Sequence, residues 1–356
     1  MSTCAGASFP LEGDCASSGA THAKTGAEFA CDVSIVIPTC RRPDMLARCL
    51  RALVAQRYDA CRFEIVVCDD GPDDVTRERV TAFARESETA MPPGPRVRYM
   101  PVTATQGPAG ARNAGWRTSA ASFIAFTDDD TIADTDWLAA GVAALAAGAD
   151  VVAGRIVVPL SDHPTDYERD AAGLAHAEFA TANAFFTRSA LERAGGFDAR
   201  FTSAWREDSD IQFELLRIRA HVVPSREAMV LHPVRPARWG VSLSQQKKSQ
   251  FDALLFKKHR TLYRARIRRT PPLLYYAILA CIALALISFG YGHGTIAYAF
   301  LVAWLALTGG FCKRRLLHTA LTPSHVLEMA WTSLWIPFLS IFWRLYGAVK
   351  FRVVFV

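Results

Sequence analysis

The stretch at residues 123–131, FIAFTDDDT, decides how the rest of the chain is interpreted. Its first four residues are mostly apolar, which predicts a short buried strand. Asp128, Asp129 and Asp130 follow directly, and three adjacent carboxylates repel one another unless a cation compensates their charge. Magnesium in proteins typically uses one or two carboxylates together with substrate phosphates. The stretch therefore predicts a divalent-cation site at the end of a strand; the alternative is a solvated acidic loop after an edge strand.

Short apolar runs alternate with helical patterns between residues 33 and 147, which predicts a parallel, doubly wound sheet. The expected strands are 33–38, 63–68, 97–101 and 123–126, and the expected helices are 45–56, 75–85, one from 111 and 137–147. Ligands of such sheets bind beyond the carboxyl ends of the strands. Because Thr39, the Asp69–Asp70 pair and the Asp triplet follow three of those ends, we expect them to converge on one crevice.

The crevice has polar groups that suit a nucleotide, although the chain lacks two common nucleotide motifs. Neither GxGxxG after the first strand nor GxxxxGK[ST] is present, which disfavours a dinucleotide fingerprint and a P-loop. Asp70 could accept hydrogen bonds from a base or a ribose. Arg112, near a predicted helix start, could meet a phosphate. The alternative for Arg112 is a structural salt bridge.

Composition limits the classes of protein that need to be considered. The chain has 356 residues, enough for one large domain or two ordinary ones, and a formal net charge of +6. Its nine cysteines are odd in number and form no CxxC pair, so we expect reduced thiols rather than a zinc site or a disulfide framework. Residues 1–30 are rich in Ala, Gly, Ser and Thr, and they predict a disordered tail without a signal-peptide core.

The last third of the chain, residues 271–356, is predicted to be a membrane region with two to three helices. Residues 273–290 and 296–312 are almost uninterrupted apolar runs with a very short link, which favours a membrane hairpin over a pair of buried core helices. A third run at 326–343 is weakened by Glu328 and Pro337. It could span the bilayer, or lie in the interface with nearby basic residues at the headgroups.

The charges around the predicted hairpin indicate its orientation. Basic residues flank it on one side only: Arg264, Arg266, Arg268 and Arg269 before it, and Lys313, Arg314 and Arg315 after it. The positive-inside rule places both flanks in the cytoplasm. The sequence therefore predicts a multi-pass protein of the cytoplasmic (inner) membrane with its soluble domain facing the cytosol.

Residues 241–270 combine apolar residues at helical spacing with many cations. This pattern predicts a basic amphipathic helix on an anionic membrane surface. The alternative is an ordinary helix packed on the soluble domain with a solvated basic face. Basic segments can also bind nucleic acid, but the adjacent membrane hairpin explains this one better, and we expect no nucleic-acid partner.

Five motifs occur in a fixed order: SIVIPTCRRPDML, EIVVCDDG, GPAGARNAGW, FTDDDT and GGFD followed by REDSD. Together they resemble family 2 glycosyltransferases of the GT-A fold, over residues 32–232. The resemblance implies a Rossmann-like, mostly parallel α/β sheet in residues 31–240. It also implies an inverting transfer of a sugar from a nucleotide-diphosphate sugar, assisted by Mg²⁺ or Mn²⁺. The leaving diphosphate gains negative charge, which a divalent cation stabilises.

The resemblance also assigns donor-side residues. The nucleotide pocket would be lined by Pro38, Thr39, Arg41, Asp70 and Arg112. Asp128 and Asp130 match the family's DxD-type metal motif, with Asp129 sharing the work. Three aspartates offer two registers for a two-Asp motif, and the sequence leaves both open. His232 would complete the metal or diphosphate contacts; its alternative is an ordinary surface or core histidine.

On the other side of the sugar, an inverting transfer needs a base that takes the proton of the incoming hydroxyl. The resemblance selects Asp208 as that base, with Glu207 orienting it or touching the acceptor. The alternative is that these acids only stabilise the start of a helix. Asn183, Gly196 and Trp205 fall in the family's acceptor-side segment. For Asn183 a purely structural hydrogen bond is the alternative.

Several functional alternatives stay open at this point. The RxxRW pattern at residues 235–239 resembles a motif of membrane-bound synthases, but its gap from Asp208 is short and the Gln of the processive enzymes is absent, which disfavours a processive synthase. The predicted acceptor is a lipid carrier, a glycolipid or a surface-polysaccharide precursor. The rivals are ceramide-glucosyltransferase-like lipid glycosylation, a nucleotidyltransferase-like enzyme, and a non-enzymatic scaffold that binds a nucleotide sugar.

Overall fold

The computed structural model describes residues 31–355, so the predicted tail at 1–30 lies outside the described residues. Eight strands form one sheet. Their bounds are β1 Val33–Thr39, β2 Phe63–Asp69, β3 Arg96–Pro101, β4 Phe123–Thr127, β5 Ile132–Ala133, β6 Val151–Val157, β7 Asn183–Thr187 and β8 Val222–Leu231. The four strands expected from the apolar runs all form, each within two residues of its predicted bounds.

The sheet has the order β3-β2-β1-β4-β7-β6-β8-β5. Strands β1 to β4 pair in parallel, as predicted, and β6 pairs with β8 in parallel. Strand β7 runs antiparallel to both of its neighbours, β4 and β6. Because β7 is antiparallel, its first residue, Asn183, lies opposite Thr127 at the end of β4. The segment just before β7 therefore comes close to the edge of the sheet where the Asp triplet lies.

Helices cover both faces of the sheet. Their bounds are α1 Pro43–Val54, α2 Asp74–Thr89, α3 Pro108–Thr118, α4 Trp137–Ala146, α5 Asp166–Ala172, α6 Arg188–Ala194 and α7 Glu207–Arg217. Side chains of β1 alternate between two apolar clusters: Val36 packs with the cluster of α3 and α7, and Ile35 and Ile37 pack with the cluster of α1 and α4. Burial on both faces explains why the parallel strands are continuous apolar runs.

The segment 241–270 differs from the predicted continuous interfacial helix. It consists of α8 Val241–Gln245, a 3₁₀ turn Gln246–Ser249, α9 Gln250–Lys258, α10 Arg260–Leu262 and a π-helical turn Tyr263–Ile267. The apolar side chains of α9 are buried in the same cluster as α7. Lys258 also pairs with Asp198 at 2.9 Å and with Asp210 at 2.6 Å. The apolar face is therefore occupied by protein, which was the alternative interpretation of this segment.

Three helices follow, and each is long and apolar enough to cross a membrane by length and composition. They are α11 Leu273–Gly290, α12 Gly294–Leu316 and α13 Pro323–Lys350, with mean hydropathies of 2.3, 1.7 and 1.3 over 18-residue windows. Helices α11 and α12 are joined by a tight link and pack against each other as a hairpin. Only 11% of each of their apolar windows is buried, against 39% for α13.

Helix α13 lies along the soluble domain, because both of its ends contact that domain. Near its start, Glu328 accepts a hydrogen bond from the Gly240 N–H at 2.6 Å. Near its end, Lys350 donates to Gln250 Oε1 at 3.0 Å, and Arg344 lies 3.7 Å from Asp252. A helix of 28 residues is about 42 Å long. The two contacts therefore hold most of its length against the domain.

Candidate active site

A cleft of about 690 Å³ opens at the carboxyl ends of β1, β2 and β4. It is the crevice expected from the sheet pattern, and it extends to the start of α7 and to the residues after β8. Most of the predicted site residues line it: Pro38, Thr39, Asp70, Arg112, Asp128, Asp129, Trp205, Glu207, Asp208 and His232. The strand ends and the distant REDSD motif thus share one cavity.

Asp128, Asp130 and His232 form one group at the end of β4. One potential ligand atom from each side chain lies within 4.8 Å of the other two. His232 follows β8 directly. Its backbone N–H donates to the Val157 carbonyl at 2.8 Å, which fixes the backbone beside the Asp triplet. Two carboxylates and an imidazole from separate parts of the chain therefore face a common point.

Asp129 points away from that group. Thr39 Oγ1 donates to Asp129 Oδ2 at 2.8 Å, and Arg42 Nη1 lies 3.2 Å from Asp129 Oδ1. Burial raises the pKa of Asp129 in spite of the nearby Arg42. In this geometry the first and third aspartates share the cation position, and the second faces the end of β1.

Each of the two converging carboxylates has its own guanidinium. Arg112 Nη2 lies 2.8 Å from Asp128 Oδ1, and Arg235 pairs with Asp130. Burial by itself would raise the pKa of Asp128, but Arg112 and then His232 outweigh it and hold the pKa below its usual value. Asp128 is therefore a carboxylate at neutral pH, which is the form that binds a cation.

The group fits a divalent cation by its donor set and by one unpaired atom. Asp130 Oδ1 is buried without a hydrogen-bond partner, and it lies 3.4 Å from His232 Nε2. Magnesium prefers oxygen ligands, and first-row transition metals accept imidazole as well. Two carboxylates with one histidine therefore suit Mn²⁺ and can also hold Mg²⁺.

On the nucleotide side, Asp70 has one free acceptor atom. Its Oδ2 accepts from the Gly107 N–H at 2.6 Å, while its Oδ1 is buried without a partner. Gly107 has a φ of +90°, and a Cβ there would lie 2.6 Å from the backbone of Thr202. Glycine is thus required at the turn that presents its N–H to Asp70.

The structure does not bring Arg41 into the cleft, and its nucleotide contact stays a prediction. Arg41 is exposed, has a φ of +54° and is not among the residues that line the cleft. Arg42, the next residue, lines the cleft and contacts Asp129. Two consecutive arginines in a loop gave no basis in the sequence for choosing between them.

Glu207 and Asp208 begin α7 on the wall of the cleft. Thr181 Oγ1 donates to Asp208 Oδ1, and the pKa of Asp208 is raised by burial. Burial also raises the pKa of Glu207, with repulsion by Asp208 as the next cause, to about 8. Glu207 and Asp208 therefore both bind a proton more readily than an ordinary carboxyl group does.

Arg112 joins the two carboxylate groups. Besides Asp128, its guanidinium faces Glu207, with 3.5 Å between Nη1 and Oε1, and its side chain is almost completely buried. Arg112 thus forms the structural salt bridge that was its alternative, and because it also lines the cleft, its phosphate contact stays a prediction. Because Arg112 contacts both Asp128 and Glu207, the start of α7 lies within the reach of one guanidinium from the group of Asp128, Asp130 and His232.

Of the three predicted acceptor-side residues, only Trp205 lines the cleft. Asn183 is buried: it accepts from Trp137 Nε1–H at 2.8 Å and donates to the carbonyls of Arg155 and Ala228. Gly196 has a φ of +72°, and a Cβ there would lie 2.7 Å from Asn113 Oδ1. Asn183 and Gly196 therefore make structural contacts, which for Asn183 was the alternative, and an acceptor contact stays a prediction for both.

Four residues that line the cleft or contact Asp208 were not among the predicted site residues: Arg42, Thr181, Arg235 and Lys248. Arg235 is the first residue of the RxxRW pattern, and Thr181 precedes the buried run of β7, so both had a sequence signal that was not used. Lys248 lines the cleft and forms no ion pair within residues 31–355. Burial lowers the pKa of Lys248.

Comparison with known proteins agrees with this geometry. Residues 34–207 match the family described as Glycosyl transferase family 2. This segment is similar to the family 2 glycosyl transferases. The three strand ends of the cleft and the start of α7 all belong to it.

Two relatives of the chain are glycosyltransferases by name. The chain is 30% identical over 138 residues to glycosyltransferase AglE of Haloferax volcanii, covering 38% of this chain and 43% of that protein. It is 27% identical over 257 residues to validoxylamine A glucosyltransferase of Streptomyces hygroscopicus, covering 60% of this chain and 56% of that protein. The chain thus spans about half the length of these relatives.

A solved structure supports the fold of the whole described chain. Mannosyltransferase PcManGT from Pyrobaculum calidifontis, in complex with GDP-Man and Mn²⁺, superposes with a TM-score of 0.53 at 20% sequence identity. The superposition covers 91% of this chain and 87% of that chain. The fold is therefore the GT-A glycosyltransferase fold followed by C-terminal apolar helices.

Proposed function

We propose that the chain is a membrane-bound, inverting glycosyltransferase. It moves a sugar from a nucleotide-diphosphate sugar to a hydroxyl or phosphate of a membrane-associated acceptor. The observation that carries the proposal is the shared cleft: Asp128 and His232, which group with Asp130, line the same cavity of a GT-A sheet as Asp208. A cavity of about 690 Å³ is large enough for a sugar with its diphosphate.

The transfer to a hydroxyl divides between the two groups of carboxylates. The acceptor oxygen attacks the anomeric carbon, its proton passes to the Asp208 carboxylate, and the bond from that carbon to the diphosphate oxygen breaks to release a nucleoside diphosphate. Thr181 orients Asp208. Asp128, Asp130 and His232 would hold the Mg²⁺ or Mn²⁺, which would stabilise the negative charge of the leaving diphosphate.

Helices α11 and α12 are proposed to cross the membrane as a hairpin. The basic end of this hairpin contacts the catalytic domain, where Arg315 Nη2 lies 2.7 Å from Asp166. Positive charge marks the cytosolic side of membrane helices. The catalytic domain would therefore face the cytosol at the inner membrane, where nucleotide sugars are available.

Helix α13 is proposed to lie in the membrane interface rather than to cross it. Its buried face is mixed, with Thr332, Ser333 and Ser340 beside apolar residues such as Ile336 and Ile341. Its exposed face carries large apolar and aromatic side chains, among them Trp331 and Trp335. Such an exposed face is unlike that of a water-soluble surface helix, and it suits a surface that meets lipid headgroups and acyl chains.

The names of the relatives guide the choice of donors for a test. One relative, 30% identical over 107 residues, is the Escherichia coli UDP-Glc:alpha-D-GlcNAc-diphosphoundecaprenol beta-1,3-glucosyltransferase WfgD, and the match covers 30% of this chain and 36% of that protein. The solved neighbour carries GDP-Man and Mn²⁺. The test therefore includes both UDP-sugars and a GDP-sugar as donors.

The test uses the purified full chain in a neutral detergent. It is incubated with UDP-glucose, UDP-N-acetylglucosamine or GDP-mannose, in the presence of Mn²⁺, Mg²⁺ or EDTA, and nucleoside diphosphate release is measured. We expect release from one donor, a fall of at least about tenfold with EDTA, and recovery with Mn²⁺. Thermal stabilisation by a donor without release would instead support a binding scaffold, and release of inorganic diphosphate would support a nucleotidyltransferase.

A further inference from the structure

A second cavity, of about 540 Å³, lies where the catalytic domain meets the membrane hairpin. Helix α5 forms one wall, and the start of α11 and the end of α12 form the other. Its lining includes Arg169, Arg268, Arg314, Leu273 and Phe311. Neither the nucleotide side nor the proposed base uses any of these residues.

The cavity carries an excess of positive charge. Arg169, Arg268, Arg314 and Arg315 line it, against two carboxylates, Asp166 and Asp170. Arg315 is already bound to Asp166 and donates to Thr332 Oγ1 at 2.7 Å. Within residues 31–355, Arg268 and Arg314 form no ion pair with a carboxylate, and both are exposed. Two guanidiniums are therefore free for an anion, and guanidinium suits phosphate oxygens.

The cavity also has an apolar side at the height where hydrocarbon would begin. Leu273 is the first residue of α11 and is 65% exposed, and Phe311 lies one turn before the basic end of α12. If the hairpin spans the bilayer, the ends of α11 and α12 mark the boundary between acyl chains and water. A lipid phosphate lies at that depth, with its chain directed along the helices.

The cavity adjoins the catalytic cleft across a single short helix. Asp170 of α5 lines both of them. On the cleft side, Tyr167 of the same helix lines the wall near Lys248. A ligand whose phosphate lies among the arginines can thus extend its polar end past α5 toward Asp208.

We propose that this cavity, which we term the arginine cavity, binds the phosphate or diphosphate of a lipid-linked acceptor. This inference rests on the proposed function, and it makes the acceptor a lipid phosphate or diphosphate whose sugar or terminal oxygen enters the cleft. Arg268 and Arg314 bind the phosphate oxygens, and Leu273 and Phe311 contact the first carbons of the lipid chain.

The experiment measures binding of farnesyl diphosphate to the full chain in phosphatidylcholine nanodiscs, without any sugar donor. The variant is Arg268→Gln with Arg314→Gln. Its matched control is Arg269→Gln with Lys313→Gln, which removes the same charge from the neighbouring positions; these are exposed and do not line the arginine cavity. We expect the dissociation constant to rise at least about tenfold in the variant and less than about twofold in the control.

Each other outcome overturns the inference. Equal weakening in both double variants would mean general attraction to a basic surface, and no weakening in either would mean that the arginines do not bind the ligand. Displacement by an equal amount of phosphatidylglycerol would indicate a site for phospholipid headgroups. Displacement by inorganic diphosphate as efficiently as by farnesyl diphosphate would indicate a soluble anion.

Donor turnover separates this inference from the proposed function. Because the arginine cavity holds no donor residue, nucleoside diphosphate release without acceptor should stay within about twofold of the unmodified chain in both double variants. If the unmodified chain releases no nucleoside diphosphate from any donor, the proposed function fails whatever the binding result. If release is normal and farnesyl diphosphate binding is unaffected by the variant, only the assignment of the arginine cavity fails.

Discussion

The two carboxylate groups of the cleft, Asp128 with Asp130 and Glu207 with Asp208, are chemically alike and electrostatically different. Asp128 has a lowered pKa because Arg112 and His232 outweigh its burial. Burial, which is less compensated at the start of α7, raises the pKa of Asp208, and it raises that of Glu207 to about 8. Asp128 is held as an anion beside an imidazole, and the second group takes up protons more readily.

The difference shows how one type of side chain, the carboxylate, can serve two chemical roles within a single cavity. A cation ligand must stay ionised, whereas a general base works best when its pKa approaches the working pH. Arg112 contributes to both environments, since it lies 2.8 Å from Asp128 and 3.5 Å from Glu207. The following predictions test whether the two groups really divide the work in this way.

The largest effect is expected for Asp208→Asn. The amide cannot accept the proton of the acceptor, so turnover should fall by about 10²- to 10⁴-fold. The donor and its cation lie on the other group, so the donor dissociation constant should stay within about twofold. Single-turnover assays measure the turnover, and isothermal titration calorimetry measures the donor dissociation constant. A parallel loss of donor affinity and turnover would mean that the two groups are not separate.

The cation group is tested by comparing Asp130→Asn with Asp129→Asn. Asp130 lies within the group of possible ligands, whereas Asp129 points to Thr39 and Arg42. We expect Mn²⁺ affinity, measured by electron paramagnetic resonance, to fall about 10- to 100-fold for Asp130→Asn and less than about threefold for Asp129→Asn. The reverse order would favour the other register of the DxD-type motif.

A smaller effect is expected for Thr181→Val, which removes the hydroxyl that donates to Asp208 and keeps the shape. That hydrogen bond lowers the pKa of Asp208, so its loss should raise the pKa further. The acid limb of kcat/KM should move to higher pH, and the rate at neutral pH should fall by about three- to tenfold. At alkaline pH the two rates should converge; a constant deficit at every pH would contradict a role through the pKa of Asp208.

The smallest effect concerns stability, through Glu207→Gln. The pKa of Glu207 rises from its ordinary 4.5 to about 8 in the folded chain, so between these values the folded state binds more protons than the unfolded state. Stability from this group is therefore lost as pH rises through that window. Glutamine does not ionise, so the variant does not lose this stability. Its free energy of unfolding relative to that of the unmodified chain should increase by about 1 kcal/mol or more between pH 6 and pH 9. Thermal unfolding of both proteins at the two pH values measures the difference in stability between them. The same difference at pH 6 and at pH 9 would contradict the raised pKa of Glu207.

The sequence was sufficient for the parallel half of the sheet and for most of the cleft. Apolar runs that end near Thr39, Asp70 and the Asp triplet predict strands of a doubly wound sheet with polar ends, and these strands form. It was not sufficient where a side chain's direction depends on distant contacts. Arg41 and Arg42 differ only in which way the loop turns, and Asn183 is saturated by Trp137 and two carbonyls that are far away in the chain.

The C-terminal region marks a second limit of sequence interpretation. Hydropathy gives α13 the same candidate status as α11 and α12. Only the structure shows the contacts near its two ends with Gly240 and Gln250, on which its proposed interfacial position rests. In the same way, α9 has the composition of a surface helix in a basic segment, and only its packing on α7 shows that its apolar face is covered.

The most direct test of the central claim is the anomeric configuration of the first product. The account has the diphosphate leaving on the side of Asp128, Asp130 and His232 while Asp208 activates the incoming oxygen from the opposite face. Proton nuclear magnetic resonance of the sugar released or transferred in the first turnovers, recorded before mutarotation, gives the configuration at the anomeric carbon. We expect it to be opposite to that of the donor. A product with the donor's configuration would contradict the proposed roles of the two groups.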